Sequence, residues 1–290
     1  MAQLRIQRRK TKSQPALQII FKSSQASYTI DSKWKSADVF LVGGGGGGQG
    51  GECTTGGFTG GGIGGGSGYT LTSKNITLTS HNIAVSVGSG GNGGYGARIG
   101  ETGYIMAGVG SISTIKINNS DISTRTQVPR SNITPMDGGS GGGATYYKDA
   151  FGGGCTGGSD GSDGNKYTQQ TSQYACGTGQ HTTTKAFEEP NGPIYAGGGG
   201  GGGGGTNHNL AGGSGGNGGG GNGGSYTDID PQSGGANTGG GGGGGVGYRV
   251  SSNFKTGGAR GGSGIVIIRL YKNSDRPTDI DWTENTIIVG

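Results

Sequence analysis

An all-β protein is predicted: an antiparallel β-sandwich base joined to a bundle of polyglycine type II helices, with no substantial α-helix. Three observations predict it. Glycine supplies 77 of 290 residues and is concentrated in near-pure runs at 43–48, 197–205 and 239–245. Short β-rich segments alternate with those runs along the chain. No stretch shows the 3.6-residue apolar period of an amphipathic helix.

The glycine runs admit three explanations. A flexible linker is usually a Gly/Ser mixture between domains, but here strand and tract alternate: ADVFLV (37–42) runs into Gly43, and NIAVSV (82–87) runs into GSGGNGGYG (88–96). Collagen needs Gly at every third position and abundant Pro, whereas this chain has unbroken Gly runs and 7 prolines. The remaining state is a left-handed extended helix with three residues per turn, rising ~3.1 Å per residue. Glycine, unlike proline, keeps its N–H, so such helices can exchange hydrogen bonds with several neighbours. Tracts at 43–51, 56–68, 88–96, 138–144, 152–164, 197–205, 211–225, 234–247 and 257–263 are expected to form the bundle.

In chain order, residues 1–36 are free of glycine and are read as an N-terminal attachment segment with β-rich stretches at 4–7, 16–22 and 26–31. The glycine-rich domain is placed at 37–271. Its strands are expected at 37–42, 69–80, 82–87, 103–108 and 111–118, where β-branched residues alternate with polar ones. IVIIRLY (265–271) is almost continuously apolar, which predicts a central strand buried on both faces. Residues 272–290 are read as a C-terminal hairpin, or a strand lent to a neighbour.

Composition narrows the chemistry. Hydrophobic residues are only 28% of the chain, too few for a conventional core throughout, while a net charge of +5 is too small to complete the signature of disorder. No apolar run is long enough for a membrane span, and no secretory leader is visible, so membrane insertion and Sec export are not expected. The 3 cysteines (Cys53, Cys155, Cys176) do not make a disulfide framework; a Cys155–Cys176 bridge remains open if the protein works outside a cell. Arg5, Arg8, Arg9 and Lys10 form a basic arm, read together with Trp282 as the attachment residues. No aromatic interleaving accompanies the arm, so nucleic acid is not expected as a partner.

Glycine abundance also creates spurious motifs. G-x-S-x-G occurs at 138–142 and 212–216 without the strand-to-helix context of a nucleophile elbow. G-x-G-x-x-G recurs without a following helix. The 3 histidines (His81, His181, His208) are scattered. Asp160, Asp163 and Asn165 offer oxygen ligands of the right kind for calcium, but their spacing matches no standard loop and reads as a polar turn. No enzyme activity, cofactor or metal is therefore expected.

The segments between tracts collect aromatics with polar surroundings, which suit sugar stacking and protein hot spots, or simply pin the ends of the bundle. Tyr146, Tyr147, Phe151, Tyr167, Tyr174, Phe187, Tyr226 and Tyr248 are the receptor-contact candidates. The long excursion 165–195 is the foremost contact loop, because long irregular loops usually carry function.

VFLVGGGGGG (39–48), ITLTSHNIAVSVGSGGNGG (76–94) and GGARGGSGIVIIRLY (257–271) together resemble the glycine-rich domain of bacteriophage tail proteins. More distantly, they are similar to the glycine-rich ectodomain of anaplastic lymphoma kinase-type receptors. The resemblance covers roughly residues 37–271. It implies stacked polyglycine helices with loops that bind a host cell-surface receptor (a glycan or an outer protein), in a non-catalytic component of a virion tail. Other tail or baseplate subunits are then the expected partners, a homo-oligomer being compatible. A purely structural tail or baseplate part, and a bacterial surface glycine-rich protein, are the alternatives.

Overall fold

The computed structural model describes residues 16–51, 60–96, 105–128, 136–145, 154–166, 176–205, 211–248, 256–273 and 280–290. Its strands are β1 (Ala16–Phe21), β2 (Gln25–Thr29), β3 (Ser36–Val42), β4 (Thr70–Thr77), β5 (Asn82–Ser86), β6 (Thr114–Ile117), β7 (Ser120–Ser123), β8 (Gly204–Gly205), β9 (Gly247–Tyr248), β10 (Ile265–Tyr271) and β11 (Thr286–Val289). A single 3-10 turn at Ala186–Glu188 is the one helical element among the described residues. The all-β expectation holds.

Two sheets share one core. The five-stranded sheet runs β11-β1-β10-β3-β4 and the four-stranded sheet β2-β5-β6-β7. Pairing is antiparallel throughout except for β11, which lies parallel to β1. Period-2 alternation assigns the faces. Ile19 and Phe21, Val39 and Leu41, and Val266, Ile268 and Leu270 point from the larger sheet to Ile83, Val85, Ile115 and Ile117 of the smaller one. β10 is central and fully buried, as its unbroken apolar sequence predicts.

Its second face has a different cover. Phe40, Val42, Ile265 and Ile267 pack against Ala186, Phe187 and Ala196, so residues 186–196 close the outside of the five-stranded sheet. The expected boundary at residue 37 does not separate two bodies. β1 is paired along its whole length with β10, and β2 with β5. Their apolar residues are needed to complete the core, and this binds residues 16–36 to the rest.

The glycine tracts are ordered by one another. In the tract that follows β3, N–H groups point in three directions in rotation. Gly44 and Gly47 donate to Ser111 and Gly108, Gly45 and Gly48 to Gly262 and Ala259, and Gly46 and Gln49 to Gly66 and Ile63. Each partner steps back by three as the donor steps forward by three, so these neighbours run antiparallel. The carbonyls of Gly45 and Gly48 accept from Gly91 and Gly94, a neighbour running parallel.

Residues 197–203 lie at the centre. Gly197, Gly200 and Gly203 donate to Gly218, Gly221 and Gly224; Gly198 and Gly201 to Gly158 and Cys155; Gly199 and Gly202 to Gly65 and Gly62. Their carbonyls accept from Gly143, from Gly213 and Gly216, and from Gly241, Gly244 and Gly247. Neighbours therefore surround this tract on every side, and β8 and β9 are the same parallel contact continued. A Cβ on Gly201 would lie 2.1 Å from the Ala144 carbonyl oxygen, and one on Gly199 2.0 Å from that of Gly242. Only glycine permits this separation.

Outer tracts carry side chains where solvent is. Ser89, Asn92 and Tyr95 are exposed, as are Ala211, Ser214 and Asn217, each at every third position. The strand expected at 103–108 is instead such a tract from Ile105 onward, with a lone bridge from Ile105 to Tyr95. Ala107, Gly110 and Ser113 face inward, while Met106, Val109 and Ile112 point outward. A three-residue period, rather than a two-residue one, spaces its apolar side chains.

Glutamine side chains fill places where a peptide group is lacking. Buried Gln127 accepts from the Gly110 N–H through Oε1 and donates through Nε2 to the carbonyls of Gly66 and Ser67, at 2.7, 2.9 and 2.7 Å. Gln49 does the same for the Ala107 N–H and the Ile105 carbonyl. A primary amide has the donor and acceptor of a backbone peptide, which is why it substitutes for one.

Candidate functional site

At one edge of the lattice the chain leaves the 211–225 tract, makes a tight loop and re-enters before Gly234. The loop is held by backbone groups together with the Ser225 hydroxyl. The Asp228 N–H donates to Ser225 Oγ, the Ser225 N–H to the Asp228 carbonyl, and the Gln232 N–H to the Asn222 carbonyl. Asn222 Oδ1 in turn accepts from the Gly215 N–H. Between loop and tract lies an open cavity of about 220 Å³, lined by Ser214, Asn222, Ser225, Asp228, Asp230 and Gln232. Ala211, Gly212, Gly213 and Gly223 complete it.

Asp228 and Asp230 bring two carboxylates to this cavity, and its described lining holds no cation to neutralise them. Tyr226, one of the receptor-contact candidates, is half-buried in the same loop. Of the cavity residues, sequence reading finds only the loop. The polar lining comes from two tracts whose adjacency depends on lattice pairing, as in the Gly223 N–H bond to the Gly213 carbonyl.

The other candidates are distributed differently. Tyr146, Tyr147, Phe151, Tyr167 and Tyr174 lie outside the described residues, as do Arg5, Arg8, Arg9 and Lys10. Tyr248 is described as backbone of β9 only. Phe187 is corrected from contact residue to anchor. It is 2% exposed and packs on Phe40, with ring centroids 5.9 Å apart. Its φ of 55° is a left-handed conformation that costs ~1–2 kcal/mol, which the burial of its ring offsets.

The described second half of the 165–195 excursion follows Phe187 onto the sheet. Tyr195 also packs on Phe40, at 5.4 Å, and burial raises its phenol pKa. Trp282, expected to grip a neighbouring subunit, stacks within its own chain. The Arg269 guanidinium lies 3.9 Å from the Phe187 ring centre and 4.3 Å from that of Trp282, and ion-pairs with Glu189. Gln18 Oε1 takes a further Arg269 hydrogen bond at 2.9 Å. One buried guanidinium thus joins β10, β1, the covering segment and the C-terminal stretch.

The 157–165 turn is structural. Asp160 accepts from Thr183 Oγ1 and from the Thr184 N–H, and Asp163 from the Gly179 N–H. These carboxylates staple the turn to residues 179–184 and do not converge. Among the described residues no group of His, Cys, Asp or Glu could hold a metal. Cys155 and Cys176 carry free thiols, and burial raises the pKa of each. Cys53 lies outside the described residues.

Apolar side chains are exposed along one outer tract, where Ile105 is 57%, Met106 42% and Ile112 38% accessible, with Tyr95 beside Ile105 at 47%. On the edge strand β11, Ile287 and Ile288 are also exposed.

A family model described as a glycine-rich domain matches residues 21–271. No curated protein matches the chain.

Proposed function

The chain belongs to the glycine-rich domain family, and on that premise we propose that it is a bacteriophage tail protein of fibre, tip or baseplate. In this reading a β-sandwich base carries polyglycine type II helices as a rigid platform, and loops between the helices bind the host surface. The observation that supports it most is the three-residue rotation of donors along 44–49 and 197–203, each set with neighbours on several sides. Backbone cross-linked in this way fixes the described tract residues between which the loops run. Binding then loses less conformational entropy.

Adsorption measurements test the reading. Tail particles carrying Tyr146, Tyr147, Phe151, Tyr167, Tyr174 and Tyr226 replaced by Ser are expected to assemble and to lose binding to bacterial cells. Particles that assemble and adsorb as before would remove the adhesin role.

Exposed Ile105, Met106 and Ile112, together with an edge of β11 that pairs with no strand among the described residues, favour a second reading. Apolar patches and open strand edges suit contact with neighbouring subunits, which is what a purely structural tail or baseplate component requires. Failure of particles to assemble when Met106 and Ile112 become Ser, with adsorption unaffected by the aromatic replacements, would select it.

A further inference from the structure

We infer that the cavity between the 211–225 tract and the 225–232 loop is a subsite for an uncharged pyranose ring of a cell-surface glycan. The inference rests on the adhesin reading for its setting, but its evidence is the cavity itself. At about 220 Å³ it is smaller than the ~300–1,000 Å³ of sites for drug-sized ligands, which limits it to a group the size of one sugar.

Its chemistry is that of hydroxyl recognition. The Asp228 and Asp230 carboxylates are acceptors only, each able to take two hydroxyl protons. The Gln232 and Asn222 side-chain amides supply donors, and the Ser214 hydroxyl supplies either role. Two carboxylates without a cation in the described lining repel phosphate and acidic sugars, so the favoured ring is uncharged.

The lattice side of the cavity suits the flat face of such a ring. The Cβ directions of Gly213 and Gly223 point into the lattice, 2.0 Å from the carbonyl oxygens of Cys155 and Gly201. Cα hydrogens and bare peptide at these two positions therefore face the cavity, between the side chains of Ala211, Ser214 and Asn222. Both walls are fixed beforehand, the loop by the Ser225–Asp228 turn and the floor by the Gly223-to-Gly213 hydrogen bond at 2.9 Å.

The test is a titration of the full chain with the methyl glycosides of glucose, galactose and mannose, read by amide chemical shifts. Saturable shifts are expected for at least one, confined to residues 211–214 and 222–232. The double variant Asp228→Asn, Asp230→Asn should bind about tenfold more weakly or worse. Its unfolding midpoint should not change, because the turn depends on the Asp228 backbone and not on its carboxylate. Absence of saturable shifts with all three glycosides would overturn the subsite. So would shifts elsewhere, equal binding by the variant, or a response of these residues to calcium chloride alone. Cell adsorption separates the two proposals. Its loss as a property of the chain, with glycoside shifts intact, removes the adhesin; adsorption that persists without glycoside shifts removes only the subsite.

Discussion

Replacing Gly201 by Ala adds one methyl group to the centre of the lattice, and its cost can be worked from the geometry. The new Cβ would sit 2.1 Å from the Ala144 carbonyl oxygen, against an ordinary contact of 3.4 Å or more, so one tract must shift by about 1.3 Å. Gly201 donates to Cys155 at 2.9 Å and accepts from Gly213 at 2.8 Å. A shift of that size takes both beyond hydrogen-bond range. Each buried group left unpaired costs ~1–3 kcal/mol, and residual overpacking a further ~1–3 kcal/mol. The lower entropy of the unfolded chain returns only ~0.4–1 kcal/mol.

Counting the two Gly201 groups, the net loss is about 2–8 kcal/mol, comparable to the whole stability of many domains, ~5–15 kcal/mol. Gly257→Ala is the control. Its Cβ comes closest to the Tyr95 ring, at 3.1 Å, with the Gly94 carbonyl oxygen at an ordinary 3.8 Å, and the Tyr95 side chain is half exposed and can yield. Urea unfolding followed through the fluorescence of buried Trp34 measures both. Gly257→Ala should fall within ~1 kcal/mol of the parent, whereas Gly201→Ala should lose most of the folded baseline. Equal midpoints for the two would refute the close-packed lattice, and Gly201→Val would then be harmless as well.

Gln127→Glu keeps the shape of a surrogate peptide but removes the donor aimed at the Gly66 and Ser67 carbonyls. Burial of the carboxylate raises its pKa above the unfolded value, so the variant's deficit should grow as pH rises above ~4 and shrink in acid; urea midpoints at several pH values check this. Arg269→Ala removes the group that joins Gln18, Glu189, Phe187 and Trp282. A loss of about 2–4 kcal/mol is expected, discounted because Glu189 is half exposed, with Trp282 emission shifting towards that of a solvated indole. Cys155 and Cys176 should react slowly with a disulfide reagent at pH 8 and quickly once unfolded, since burial keeps both as thiols. The sign for stability follows: unfolded thiols ionise first as pH rises, so their contribution is present below about pH 9 and is lost above it.

How far the fold was legible depended on which period the residues obeyed. IVIIRLY could be read as a central strand because almost every side chain is apolar, and both faces are indeed covered. The near-pure tracts could be read as buried because they lack side chains altogether. Residues 105–113 could not, since Met106, Val109 and Ile112 resemble strand residues until the step of three is noticed. Ser89, Asn92 and Tyr95 repeat the same step, so the signal was present in the chain. Phe187 misleads for another reason: nothing local says that a Phe between Ala186 and Glu188 turns inward on Phe40, a contact made across 147 positions of sequence. The cavity was half legible. Its loop announces itself by Tyr226, Asp228 and Asp230, but the opposing Ser214 and Asn222 are brought beside it only by hydrogen bonds between tracts.

The screw symmetry of the tracts also governs how this protein can change length. Inserting a single residue within 211–217 would turn everything beyond it by a third of a revolution and push Ser214 or Asn217 into the interior. Adding three would restore every facing. Such tracts can therefore lengthen or shorten in triplets without turning their side chains to the wrong side. A scaffold with that grammar keeps its frame when a tract grows or shrinks by whole repeats.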